Sequence, residues 1–283
     1  MDAFTHDGLQ FDVIDDGPTE GAVVVLLHGY PQDASAWNGV VPHLHGAGLR
    51  TLALQQRGYS TDSRPDRVSD YRIGKLVGDV LALLDAAGVD SAHVVGHDWG
   101  GAVAWALAAS HPERVASLVV LSTPHPMALR RALRRGDQAR RSWYLLAYQL
   151  PWLPEQLMAR FVRRGGLVRT GLPDDHARAY AERLGGARDM RGPIHWYRAA
   201  LRPSGGLLGP AAGNGEVSVP TTYVWGSRDP FLGRDAAEES GEHVTGDYRF
   251  VEVQTGHWLP ERKPELVAEE ILRRVVGESS SPD

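Results

Sequence analysis

The sequence predicts an α/β fold: a mostly parallel, doubly wound sheet with helices on both faces and a helical segment inserted before its last strands. Three observations carry this reading. Residues 22–28 form a continuous apolar run that ends at Gly29, short β-branched runs alternate with helical periodicity towards both ends of the chain, and that alternation breaks between residues 126 and 216. A strand apolar at every position, not at every second one, is buried on both faces, as a central parallel strand must be.

Each element has a local reason. Residues 9–14 suit an antiparallel edge hairpin ahead of the central strand. Further strands are expected at 49–54, 92–96, 118–121, 221–225 and 249–253, most of them bounded by Gly, Pro, Asp or Ser. Ile73, Leu76, Val77, Val80, Leu81, Leu84 and Ala87 recur at three- and four-residue steps, with Asp70 placed to cap that helix and Gly88 to end it. A second helix should run from Gly100 to His111, where Pro112 forbids continuation, and a third from Pro264, a favoured first-turn residue, towards Gly277. The stretch after Pro126 is helical in pattern and rich in Arg and aromatics. It reads as a cap at 126–216 interrupting a discontinuous core at 1–125 and 217–283, with Gly-rich 204–215 as the return linker and 279–283 as a loose tail. The Arg run from Arg130 to Arg141 reads as a solvated helix face.

Composition excludes several function classes. The chain has 283 residues with 30 Lys+Arg against 35 Asp+Glu, a net charge of −5, which offers no long-range attraction to a phosphate backbone. It contains no cysteine, so a thiol nucleophile, thiolate metal ligation and disulfides are all ruled out. The first residues lack a basic segment followed by an apolar one, and no apolar run approaches the ~20 residues that span a bilayer. A soluble cytoplasmic monomer or homodimer is expected, without cofactor or metal and without nucleic acid or membrane as partner.

The chemistry-bearing residues lie at strand ends. Gly96-His97-Asp98-Trp99-Gly100-Gly101 joins a buried strand to a helix with the glycine spacing of a nucleophile elbow, G-x-S-x-G, and with Asp98 in the serine position. There the helix N-terminus favours an ionised carboxylate, which is a competent nucleophile; the alternative is a plain N-cap. Asp229 in Gly226-Ser227-Arg228-Asp229-Pro230 and His257 in Gly256-His257-Trp258 follow two later strands. Alone, each reads as a turn or loop residue; together the order elbow, acid, His is that of the elbow fold. His28-Gly29-Tyr30-Pro31 ends the first central strand, and the backbone N–H groups of Tyr30 and Trp99 are placed to form an oxyanion hole. Pro31 cannot donate, and a cis bond there would fix the loop.

With these residues in view, the chain resembles an α/β-hydrolase of the epoxide hydrolase type over nearly its whole length. The motifs that carry the resemblance are HGYP at 28–31, GHDWGG at 96–101, GSRDPFL at 226–232 and TGHW at 255–258. The resemblance implies Asp98 as nucleophile, His257 as base, Asp229 as the acid that orients it, and Tyr30 and Trp99 as oxyanion donors. It also implies two lid tyrosines. Tyr144, which precedes Gln149-Leu150-Pro151, and Tyr197, in Trp196-Tyr197-Arg198, fit those places, with Tyr148 as the alternative to the first. Such an enzyme would open a small apolar or aromatic epoxide with water, and Trp37, Tyr148, Trp196, Phe231 and Trp258 are the expected substrate contacts. Two other readings stay open. A haloalkane dehalogenase would share the Asp-His-Asp triad but need halide donors, for which Trp143, Trp152 and Trp196 are available. A non-catalytic ligand-binding member of the fold would keep the pocket alone.

Overall fold

The computed structural model describes residues 1–135, 137–202 and 215–276. Its centre is an eight-stranded sheet. An N-terminal hairpin, β1 (Ala3–His6) and β2 (Leu9–Asp16), leads into β3 (Val23–Leu27), α1 (Val41–Gly46), β4 (Arg50–Leu54), α2 (Ile73–Ala86), β5 (Ala92–His97), α3 (Trp99–Ser110) and β6 (Val115–Leu121). Among the described residues six α-helices follow before the sheet resumes: α4 (Pro126–Arg135), α5 (Gln138–Arg141), α6 (Tyr144–Ala147), α7 (Leu153–Arg163), α8 (Asp174–Leu184) and α9 (Ala187–Ala200). The chain then completes the sheet with β7 (Thr221–Gly226), α10 (Arg234–Glu239), β8 (Tyr248–Val253), α11 (Leu259–Arg262) and α12 (Pro264–Val276). The expected linker at 204–215 lies outside the described residues except for Gly215, and the expected tail at 279–283 lies wholly outside them.

The strand order is β1-β2-β4-β3-β5-β6-β7-β8. Only β1/β2 and β2/β4 pair antiparallel; β4, β3, β5, β6, β7 and β8 run parallel. The chain winds outwards from β3 to β4, then crosses back to β5 on the other side. The β3/β5 junction is therefore the switch point, and the crevice outside its carboxyl ends is where an open α/β sheet forms its ligand site.

Alternation along the buried strands explains the two layers. Val24 and Leu26 point to one face, against Leu44 of α1 and Val267 and Ile271 of α12, while Val25 and Leu27 point to the other, with α2 and α3. Because both faces are covered, every position is apolar. α3 is buried nearly all round, which is why its sequence has small and apolar residues on every side.

Two local expectations need correction. Asp70 does not cap α2: it lies in a 3-10 turn at Val68–Tyr71, and Arg72 occupies the N-cap without a side-chain hydrogen bond. The elbow helix starts at Trp99, one residue before Gly100, because Asp98 itself makes the turn.

A buried ion pair ties the loop after β4 to α2. Arg57 donates from Nε and Nη2 to the two carboxylate oxygens of Asp79 at 2.8 and 2.6 Å, with both side chains almost fully buried. Removing one partner strands the other charge in the core. Arg57→Met should therefore lower unfolding free energy by about 3–5 kcal/mol in urea melts, whereas Arg57→Met with Asp79→Leu should recover much of that loss.

Candidate active site

The site is built from the carboxyl ends of β3, β5, β7 and β8. At the end of β5 the chain turns so tightly into α3 that Asp98 adopts φ +50°, outside the range that suits a residue with a side chain. The cause is the close packing of backbone around it: a Cβ on Gly100 would run into the Leu27 carbonyl at the end of β3, and one on Gly29 into the Asp98 side chain. The strain aims the carboxylate out of the sheet at the start of α3. Across the switch point, Tyr30 donates its backbone N–H to Asp98 Oδ1 at 2.8 Å, and the Tyr30–Pro31 bond is cis. Trp99 is the first residue of α3, beside Asp98.

Asp98 Oδ2 lies 3.6 Å from His257 Nε2, and His257 Nδ1 is 2.7 Å from Asp229 Oδ2. Asp229 is fixed in turn, since its Oδ1 accepts the N–H groups of Phe231 and Leu232 at 2.7 and 3.1 Å. The structure thus brings the side chains of Asp98, His257 and Asp229 into one row from three separate strand ends. Two residues that sequence reasoning passed over hold the His257 backbone. Ser122, itself at φ +67°, donates from Oγ to the His257 carbonyl at 2.8 Å, and His97 Nε2 approaches the same carbonyl at 2.9 Å. Gln32 stands behind His97: its Oε1 accepts the Gly29 N–H at 2.6 Å and lies 2.7 Å from His97 Nδ1. A polar residue just past the His-Gly turn, and a Ser ending β6, were the only signals of these supports.

The electrostatics divide the buried histidines. Burial works against a charged His257, but the two carboxylates facing its nitrogens, Asp229 first, overcome it and push its pKa up to about 10. Burial likewise opposes the Asp98 charge, and the facing imidazolium and the Tyr30 N–H hold its carboxyl below the usual range. His97, by contrast, is pushed down to about 3 by burial and by its charged neighbour, and His28 to about 4 by burial, so both are neutral supports.

Above Asp98 lies a cavity of about 630 Å³, a size suited to a small ligand, whose walls are largely apolar. Tyr144 of α6 and Tyr197 of α9 line it, their rings 5.9 Å apart, and Tyr148 packs 4.8 Å from Tyr197. Burial, with the Asp98 charge adding to it, raises the hydroxyls of Tyr144 and Tyr197 well above the ordinary phenol value, and pushes Tyr148 up to about 12. All three stay protonated at neutral pH. Phe231 and Trp258 also line the cavity, as do Met158 and Phe161 of α7, which no motif singled out.

Two expected substrate contacts do not reach it. Trp37 lies on the opposite face of the sheet, fully buried with Leu44 and Ile271, and its indole N–H has no hydrogen-bond partner among the described residues. Trp196 points down into the core, where its Nε1 donates to the Arg57 carbonyl at 2.9 Å, so it packs behind Trp99 and not in the cavity. That bond also removes Trp196 as a halide donor. Trp152 is exposed outside the cavity, and Trp143 stands two-thirds exposed at its mouth. The Arg run is not simply a solvated face either: Arg140 and Arg141 line the mouth, and Arg141 Nη1 donates to the Asp229 carbonyl at 3.0 Å.

Residues 22–264 match the model of the alpha/beta hydrolase fold family. The chain is similar to epoxide hydrolase A of Mycobacterium tuberculosis, at 32% identity over 96% of this chain and 95% of that one. The chain belongs to the epoxide hydrolase family of α/β-hydrolases. It is also 31% identical to the AB hydrolase superfamily protein YfhM of Bacillus subtilis, over 94% of both chains. Among solved structures, an epoxide hydrolase from metagenomes of hot environments superposes with a TM-score of 0.81 at 26% identity, covering 96% of each chain. Epoxide hydrolase A from Mycobacterium thermoresistibile does so with a TM-score of 0.77 at 26% identity, covering 97% of each.

The raised His257 pKa has a measurable sign. The stability contributed by protonated His257 is complete below about pH 6.5, its unpaired value, and is lost as pH rises through about 10. Ring NMR should show His257 titrating near the upper value, and Asp98→Asn, which removes one facing charge, should move that midpoint down.

Proposed function

We propose that the protein hydrolyses an epoxide to a vicinal diol through an ester on Asp98. The observation that carries this reading is an ionised carboxylate at the elbow, one oxygen held by the Tyr30 N–H and the other facing His257, beneath phenol hydroxyls that remain protonated. In this reading residues 126–216 form a cap over the carboxyl edge of a core made of 1–125 and 217–283.

Asp98 attacks an oxirane carbon and forms a C–O bond as the ring C–O bond breaks. Tyr144 and Tyr197 hydrogen-bond the ring oxygen, and one of them gives it a proton, so no free alkoxide is released. Esterification neutralises Asp98 and removes one of the two charges that kept His257 protonated. His257 then yields its proton to the tyrosinate and becomes a base when a base is needed. It takes a proton from water, which attacks the ester carbonyl carbon; the oxyanion is stabilised by the N–H groups of Tyr30 and Trp99. His257 returns that proton to the leaving oxygen, the diol departs, and the Asp98 carboxyl proton passes back to His257. Every group ends in its starting state. The apolar walls favour an apolar or aromatic substrate, and the loss of Trp196 and Trp152 as cavity donors favours this reading over halide release.

In a single turnover in oxygen-18 water, the first diol should be unlabelled, because its second oxygen comes from Asp98. A labelled first diol means direct attack by water and overturns the ester. Tyr144→Phe and Tyr197→Phe should each lower kcat by about 10²–10⁴-fold, the usual contribution of a positioned acid. If Tyr148→Phe shows that loss and Tyr144→Phe does not, Tyr148 is the first donor.

A further inference from the structure

Charge is divided sharply along this chain. Residues 126–202 contain 16 arginines against 6 carboxylates, a formal +10, although the whole protein carries −5. The same segment holds the exposed apolar surface: of nine large hydrophobic residues exposed among the described residues, seven fall between Trp143 and Val168. Trp143, Leu146 and Trp152 are 67%, 72% and 70% exposed. Trp152 is exposed from a backbone at φ +50°, a conformation that residues with a side chain rarely adopt.

The patch surrounds the way in. Trp143, Leu150, Leu153 and Leu157 are exposed and also line the cavity, so the mouth opens within the apolar surface. Arginines frame it. On α7, Leu153, Leu157 and Arg160 follow at helical steps of four and three, which sets Arg160 on the face that carries the two leucines, and Arg164 caps the end of the helix four residues further on. Arg140 stands at the mouth, and Arg169 follows exposed Val168. None of these four guanidiniums has an ion-pair or hydrogen-bond partner among the described residues.

We propose that this face docks on a lipid bilayer surface bearing anionic headgroups, with the cavity mouth turned towards the membrane. Exposed tryptophans beside unpaired arginines match the two layers of such an interface, the rings at headgroup level and the guanidiniums on the phosphates. A symmetric contact between two copies of the face fits less well, because it would set two strongly cationic surfaces against each other. Docking does not depend on the chemistry assigned to Asp98. If that chemistry holds as well, an apolar epoxide dissolved in the bilayer meets the mouth directly.

The test is co-sedimentation of the full-length protein with vesicles of phosphatidylcholine alone and with about 30% phosphatidylglycerol. Binding is expected to the anionic vesicles only, and added salt should release it as screening grows. At about fivefold per arginine, Arg160→Gln with Arg164→Gln should weaken binding about 25-fold, while thermal melting and turnover of a water-soluble epoxide stay unchanged. Trp152→Ser should also weaken binding, and brominated lipid should quench wild-type tryptophan fluorescence. Asp98→Asn should bind as the wild type does, so failure of the ester mechanism would leave this result intact. No binding to anionic vesicles, equal binding to neutral ones, or a salt-resistant oligomer that buries the patch each overturns the proposal.

Discussion

The close approach of backbone between the end of β3 and the start of α3 is the constraint on which this site depends. With no side chain at Gly100, the first turn of α3 rests directly on the Leu27 carbonyl, and Asp98 is forced to φ +50°. Any relaxation of that turn would swing the carboxylate away from the Tyr30 N–H and from His257. The strain is sustained because β3 and β5 are adjacent central strands, buried on both faces and unable to move apart without opening the core.

The charge state of the site follows from where each group is buried. His257 and His97 lie side by side, with ring centroids 4.9 Å apart, yet their pKa values are driven in opposite directions. Carboxylates face both nitrogens of His257, whereas His97 meets an amide oxygen and a carbonyl. One becomes a charged partner for Asp98; the other serves as a neutral prop. This arrangement also orders the proposed chemistry, since neutralising Asp98 is what frees His257 to accept a proton.

The helices between β6 and β7 do more than cover the cavity. Gln138 donates to the Phe231 carbonyl and accepts the Gly233 N–H, and Arg141 reaches the Asp229 carbonyl, so α5 braces the loop that carries Asp229. On the other side, Trp258 donates to the Thr170 carbonyl and Tyr180 to Glu261, tying the residues after His257 to the same insertion. The insertion therefore shapes the cavity and helps to hold the loops that carry Asp229 and His257.

The sequence by itself determined the parallel sheet, the inserted helices and the three strand ends that carry Asp98, Asp229 and His257. These were legible because burial on both faces leaves apolar runs, and because an elbow leaves glycines where backbone must touch backbone. Adjacency to a motif proved a poor guide to the cavity. Trp37 and Trp196 lie near motifs in the chain, but one faces the other side of the sheet and the other turns into the core to satisfy its indole N–H. Conversely, Met158 and Phe161 line the cavity from an amphipathic helix whose periodicity says only that one face is buried, not against what. Ser122 and Gln32 left only faint signals for a related reason: a polar side chain gains its meaning from the backbone group it reaches across the fold. Which residues become supports, walls or exposed surface was decided only when the strand ends and the insertion met in space.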